Sequence, residues 1–138
     1  MGNSVASENT VRNLYLKPFE YIVKHAHPAT LMCAYNQING VYCSENKWLL
    51  TDVLRKEWGF DGVVMTDDLA MDAVSAYAGD GAVAVMALEA GNDLVLTTDY
   101  RTQIPKVLEA VENGTLDKAV IDTACRRVLS WKQALGLL

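Results

Sequence analysis

Apolar positions along this chain follow two rhythms: stripes spaced three and four apart, and short unbroken runs. Val11, Leu14, Tyr15, Phe19, Ile22 and Val23 fall on one helical stripe. Ser7 precedes it as a candidate N-cap, Pro18 predicts a kink or an end to its first part, and Pro28 closes it. The run over 30–34 predicts a short strand, and 35–45 reads as a polar loop holding the turn dipeptide Asn39-Gly40. Leu50, Val53, Leu54 and Trp58 form a second stripe. Ser44 is its candidate cap, and Gly59 can take the left-handed conformation that stops a helix. Asp61-Gly62 is a turn signal, and Val63, Val64 and Met65 form a continuous apolar run, as in a parallel strand covered on both faces.

A short irregular helix is expected over 69–77, broken by Gly79-Asp80-Gly81. Asp80 can cap a helix running to Ala90 that is apolar nearly all round, and so should be buried. Gly91 stops it, and 93–97 reads as the last strand. Ile104, Val107, Leu108 and Val111 give an amphipathic helix ended by Asn113-Gly114. Asp117 can cap a final helix with Ile121, Ala124, Cys125, Val128 and Leu135 inward, terminated by Gly136. Strands alternating with helices imply right-handed crossovers and a parallel α/β sheet. About three strands is few for such a sheet, which normally hides both faces and both edges.

The chain has 138 residues, enough for one domain over 1–138 with a modest core. It is 51% hydrophobic and 21% charged, as in a soluble globular protein. The net charge of −5 argues against nucleic acid as a partner. The longest apolar runs are far too short to span a bilayer, and the polar stretch 1–10 shows no signal peptide. The three cysteines, Cys33, Cys43 and Cys125, lack metal-ligand spacing and read as free, mostly buried thiols of a reducing compartment, such as the cytoplasm. His25 and His27 read as a surface and a turn histidine, so no metal and no cofactor are expected.

Asp67 and Asp68 arrive together where the chain would leave the sheet. In parallel α/β folds chemistry sits at the carboxyl ends of strands. The stretch Trp58-Gly59-Phe60-Asp61-Gly62, an apolar strand, then Thr66-Asp67 resembles the nucleophile strand of glycoside hydrolase family 3. Upstream, Met32-Cys33-Ala34-Tyr35-Asn36, Asn39-Gly40-Val41 and Asn46-Lys47-Trp48-Leu49-Leu50-Thr51-Asp52-Val53-Leu54-Arg55 are similar to the preceding strand and helix in that family. Downstream, Ala90-Gly91-Asn92-Asp93-Leu94 resembles its next strand. The resemblance implies about the last three βα units of a (β/α)8 TIM barrel. The earlier strands, and the sandwich-like second domain of many relatives, fall outside the matched segments.

By the same resemblance, Asp67 falls on the catalytic nucleophile of a retaining glycosidase acting on β-linked glucosides or N-acetylglucosaminides. Read from its position alone, Asp67 is more readily an acid capping the next helix than a nucleophile. Met32 and Tyr35 match residues lining the sugar site, and Asn36 would orient the loop. Asp68 departs from the β-glucosidases that carry Trp there. The run Thr66-Asp67-Asp68-Leu69-Ala70-Met71 looks more like the N-acetylglucosaminidase branch, whereas the segment before Val63 looks like the two-domain β-glucosidase branch. A natural intermediate and a splice of two relatives both account for this.

A retaining mechanism needs a second carboxyl about 5 Å from the first. Asp68 should point elsewhere, Glu45 sits in a loop expected to be mobile, and Asp99 with Tyr100 would at most rim a pocket. The acid/base in the family comes from outside this stretch, so the isolated chain is expected to be weak or inactive. Two rivals remain. One is a non-catalytic half-barrel module that self-associates through its exposed sheet edges. The other is a receiver-like phosphoacceptor domain, ranked last because Asp99-Tyr100-Arg101 supplies no late-strand Lys. The acidic pair would bind Mg²⁺ only in another fold class.

Overall fold

The computed structural model describes residues 2–69 and 82–138. The helix expected over 69–77, the Gly79-Asp80-Gly81 break and the Asp80 cap lie outside them, apart from Leu69. Strand β1 (Asn3–Ser4) leads to α1 (Glu8–Thr10), where Ser7 Oγ accepts from the Thr10 N–H at 3.2 Å. A wider turn over Val11–Tyr15 follows, in which the Leu16 N–H reaches the Val11 carbonyl. Helix α2 (Lys17–Ala26) then starts afresh. Pro18 sits in its first turn, where the missing N–H has no partner to lose, so the proline opens a helix instead of kinking one.

Strand β2 (Thr30–Met32) precedes the stretch expected to be a loop. That stretch contains a tight hairpin, β3 (Gln37–Ile38) and β4 (Val41–Tyr42). Asn39 and Gly40 take φ of 52° and 83° at its tip, the handedness that matches strand twist. Helix α3 (Trp48–Glu57) is capped by Asn46, whose Oδ1 accepts from the Leu49 N–H, and not by Ser44, which is buried in the Cys43–Glu45 turn. Gly59, at φ 75°, lets the chain turn back into β5 (Val63–Met65). At Gly62 a Cβ would lie 2.4 Å from the Ala29 carbonyl oxygen, so only glycine lets the two segments approach.

β2 and β5 are parallel, with Thr30, Leu31 and Met32 opposite Val63, Val64 and Met65. β1 pairs in parallel with β3 in a separate small sheet. After α4 (Val83–Ala90), the expected strand over 93–97 shrinks to one parallel bridge between Leu94 and Met65. The cause is a side chain: Leu96 donates its N–H to Thr66 Oγ1 instead of to a backbone carbonyl. Helices α5 (Tyr100–Glu112) and α6 (Lys118–Ala134) complete the chain, and Asp117 caps α6 by accepting from the Ala119 N–H.

The main core joins Val23 of α2, Leu50 and Leu54 of α3, Val64 of β5, Cys33, Phe60 and Ala90. A second cluster joins Leu88, Ala110 and Leu116. The helical stripes are rotated from those expected. On α5, Gln103 and Ala110 are buried while Ile104 and Leu108 face outward, because the Gln103 amide oxygen accepts from the Ala84 N–H at the start of α4. On α6, Ala124 is buried but Cys125 and Leu135 are exposed. Val11 and Val23 are buried, but Leu14, Tyr15, Phe19 and Ile22 of the first stripe are exposed.

One polar cluster runs through the interior. The Asp93 side chain is 1% exposed and lies between two guanidiniums. Its Oδ2 accepts from Arg55 of α3 and from the Val64 N–H at 2.9 Å, and its Oδ1 accepts from Arg127 of α6 at 2.9 Å. Arg55 also donates to the Phe60 and Gly62 carbonyls. Removing one partner of such a group strands the others without a counter-charge, which costs about 3–5 kcal/mol. Asp93→Ala is therefore expected to lower unfolding free energy in urea by about that amount, and Asp93→Asn by most of it. A loss below about 1 kcal/mol, the scale of an exposed pair, would contradict this.

Candidate active site

The register of β2 and β5 brings both strands to an end at the same level, Met32 beside Met65. Thr66, fully buried, continues β5; its N–H donates to the Leu94 carbonyl and its hydroxyl holds Leu96. The next residue, Asp67, emerges half-buried at the carboxyl end of the pair. Its Oδ1 accepts from the Asp68 N–H at 2.8 Å, and Oδ2 has no hydrogen bond among the described residues. Asp68 turns aside, accepting from the Thr98 N–H through Oδ1.

Met32 and Tyr35, both exposed, follow β2 at this same end. Chain direction therefore gathers Asp67, Asp68, Met32 and Tyr35 at one end of the β2–β5 pair. Asn36 is turned into its own hairpin, donating to the Gln37 carbonyl. Asp99 stands at the start of α5, where its carboxylate accepts from the Thr102 hydroxyl and its carbonyl from the Gln103 N–H. Tyr100 is exposed beside it.

Other nucleophiles and ligands fall away. All three thiols are free. Burial pushes Cys33 up to about 12, with Cys43 adding to the effect, and pushes Cys43 up to about 11. Cys33 donates instead to the buried Asn92 amide oxygen. His25 Nδ1 donates locally to the Tyr21 carbonyl, and its ring stacks on that of Tyr21. Among the described residues no group of three or more His, Cys, Asp or Glu could hold a metal. No helix among them is long and apolar enough to cross a membrane.

An apolar cavity of about 310 Å³ lies elsewhere: between β2 and the α1–α2 segment, lined by Tyr15, Phe19, Leu31, Met32 and Trp58 among others. It contains no carboxylate, and of the residues proposed from sequence only Met32 and Asn36 reach it. Its walls suit aliphatic side chains better than a sugar.

Three features escaped the sequence. The Arg55–Asp93–Arg127 cluster and the buried Asn92 had one signal, polar residues opening a strand expected to be buried, since such groups need partners. Glu45 is the third. It stands in the ordered Cys43–Glu45 turn packed against α4, not in a mobile loop. Burial raises its carboxyl above the usual range, and its Oε1 is buried without a partner among the described residues.

A family model described as the glycosyl hydrolase family 3 N terminal domain matches residues 2–131. Thermostable beta-glucosidase B of Acetivibrio thermocellus is 41% identical over 128 residues, covering 92% of this chain and 16% of that protein. Beta-glucosidase 3B from Thermotoga neapolitana, solved in complex with glucose, superposes with a TM-score of 0.81 at 39% identity, over 94% of this chain and 18% of that one. A family 3 beta-N-acetylglucosaminidase from Paenibacillus superposes with a TM-score of 0.87 at 28% identity, over 98% of this chain and 27% of that one. The chain thus spans a small part of the relatives it matches.

The raised Glu45 carboxyl carries a pH dependence with a definite sign. The folded state favours its protonated form, so the penalty is absent below the unfolded value of about 4.3 and grows as pH rises through the folded value. Glu45→Gln, which never ionises, is expected to raise the urea midpoint at pH 7 and leave it unchanged at pH 4. Equal effects at both pH values would contradict this.

Proposed function

The chain belongs to glycosyl hydrolase family 3, of the α/β TIM-barrel type, and from that premise we propose that it carries the retaining nucleophile, Asp67, for hydrolysis of β-linked glucosides or N-acetylglucosaminides. Its βα units are read as about the last three of the barrel. The observation that carries this is the position of Asp67, at the carboxyl end of a buried parallel strand with Oδ2 unoccupied by any described residue. Strand-end carboxylates on a rigid sheet are where this architecture places chemistry.

In the proposed reaction Asp67 Oδ2 attacks the anomeric carbon as the bond from that carbon to the leaving oxygen breaks. The leaving oxygen takes its proton from an acid supplied by protein outside residues 1–138. Water then attacks the same carbon of the glycosyl ester, gives a proton to that group, and frees Asp67 as a carboxylate. The hydrogen bond from the Asp68 N–H holds Asp67 Oδ1 and so leaves Oδ2 to make the attack. Met32 and Tyr35 would line the sugar, and Asp68, tied to the Thr98 N–H, would rim it.

Glucose in the Thermotoga neighbour supports a carbohydrate substrate. The isolated chain lacks the acid and most of a sugar site, so it is expected to release no more p-nitrophenol from aryl β-glucosides than its Asp67→Ala variant. Residues 2–131 grafted in place of the matching stretch of the Acetivibrio β-glucosidase B are expected to give an active enzyme. Asp67→Ala in that graft is expected to lower kcat by at least about 10³-fold. A graft in which Asp67→Ala retains activity would sink the assignment.

A further inference from the structure

The chain holds the same reactive dipeptide twice, as Asn39-Gly40 and Asn113-Gly114. In Asn-Gly the glycine backbone nitrogen can attack the asparagine side-chain carbon, because no Cβ on the second residue obstructs the approach. Closure of the ring expels ammonia. In a folded chain the rate depends on how firmly the attacking and leaving nitrogens are held. A Cβ at either glycine would meet nothing within 4 Å, so hydrogen bonding and not crowding separates the two copies.

Asn39-Gly40 is held by the N-terminal segment. The Gly40 N–H donates to Asn3 Oδ1 at 2.9 Å, which occupies the attacking nitrogen. The Asn39 side chain is clasped by Ala6: its Oδ1 accepts from the Ala6 N–H at 2.9 Å, and its Nδ2 donates to the Ala6 carbonyl at 3.0 Å. The Asn39 N–H donates to the Ser4 carbonyl at 3.0 Å. Turning the side chain onto the Gly40 nitrogen would break the clasp and the Asn3 bond together. Asn113-Gly114 is open by comparison. Asn113 is exposed at the C-terminal end of α5, and its Nδ2 has no hydrogen bond among the described residues. Its Oδ1 accepts from the Thr115 N–H at 3.0 Å and lies 2.7 Å from the Thr115 hydroxyl. Donors on that oxygen stabilise the negative charge it gains when the carbon is attacked. The Gly114 N–H reaches the Val111 carbonyl only at 3.3 Å.

We propose that Asn113-Gly114 is a site of spontaneous deamidation, while the segment around β1 protects Asn39-Gly40. The Gly114 nitrogen bonds to Asn113 Cγ, the Cγ–Nδ2 bond breaks, and Nδ2 leaves as ammonia with the proton that Gly114 gives up. Water then opens the cyclic imide at one of its two carbonyls. Breaking the bond from the Gly114 nitrogen to Cγ leaves aspartate, and breaking its bond to the backbone carbonyl carbon leaves isoaspartate. Either product puts a carboxylate at the C-terminal end of α5, where the helix dipole disfavours negative charge. Isoaspartate also adds a carbon to the main chain just before Leu116, whose N–H donates to the Ala110 carbonyl at 2.9 Å and whose side chain sits in the core with Leu88 and Ala110. Helix α6, which brings Arg127 to Asp93, starts from that turn. The modification therefore loosens the hold of α6 on the rest of the chain.

The full chain is aged in mildly alkaline buffer, and peptide mass spectrometry follows both dipeptides. The Asn113 peptide is expected to deamidate at least tenfold faster than the Asn39 peptide, and unfolding in urea is expected to bring the two rates together. Asn3→Ala, at an exposed position, frees the Gly40 N–H and is expected to speed conversion at Asn39 without changing it at Asn113. The isoaspartyl fraction, separated by ion exchange, is expected to unfold at a lower urea midpoint than the parent chain. Equal rates in the folded chain, a difference that persists in urea, no response of Asn39 to Asn3→Ala, or an unchanged midpoint for the aged fraction would each overturn the proposal. The readouts are mass and unfolding, so this result and the kcat of the Asp67→Ala graft fall separately.

Discussion

A single buried carboxylate sets the geometry of this chain. Asp93 is reached by Arg55 from α3, Arg127 from α6 and the backbone of Val64 in β5. Burial lowers the Arg55 pKa while Asp93 opposes that shift, and the guanidinium keeps its charge throughout. A carboxylate in an apolar interior is tolerated only when its oxygens are matched, and here all three donors belong to different elements. Two helices and the strand are thereby fixed at one end of β5. Asp67 lies three residues beyond Val64, about 10 Å along an extended chain. The clamp and the candidate nucleophile thus occupy opposite ends of one short strand, and rigidity at the first fixes the second.

The strand and its borders were legible because their signals are local. Gly59 and Asp61-Gly62 mark the turn, Val63 to Met65 mark burial, and the acids mark the exit. Asp117 and Ser7 were legible as caps for the same reason. The β3–β4 hairpin was not, since strands of two residues have no period to read beyond the Asn39-Gly40 turn. The clamp's partners were hidden for a different reason: Asp93 finds Arg55 and Arg127 at separations of 38 and 34 residues, and no local pattern encodes either. The outward stripes on α2 and α5 show the limit of periodicity. It says that a face is apolar but not which neighbour covers it.

That limit separates two surfaces often taken together. The apolar cavity beside β2 is not where the candidate chemistry lies, because its walls carry no carboxylate. It is better understood through sheet architecture, in which parallel strands are hidden on both sides. Asp67 stands where β2 and β5 end together, with a half-buried carboxylate and one oxygen held by its neighbour's N–H. Sequence supplied the identity of the acid. The parallel register supplied the reason that Met32 and Tyr35 arrive at the same end.

The central claim is that Asp67 forms a bond to sugar. It is tested most directly by incubating the β-glucosidase graft with an activated 2-deoxy-2-fluoro-β-glucoside, which slows release of a glycosyl ester, and mapping the adduct by peptide mass spectrometry. The account requires one fluoroglucosyl group on the peptide containing Asp67. Labelling of another carboxylate by an active graft, or turnover with Asp67 never modified, would contradict it.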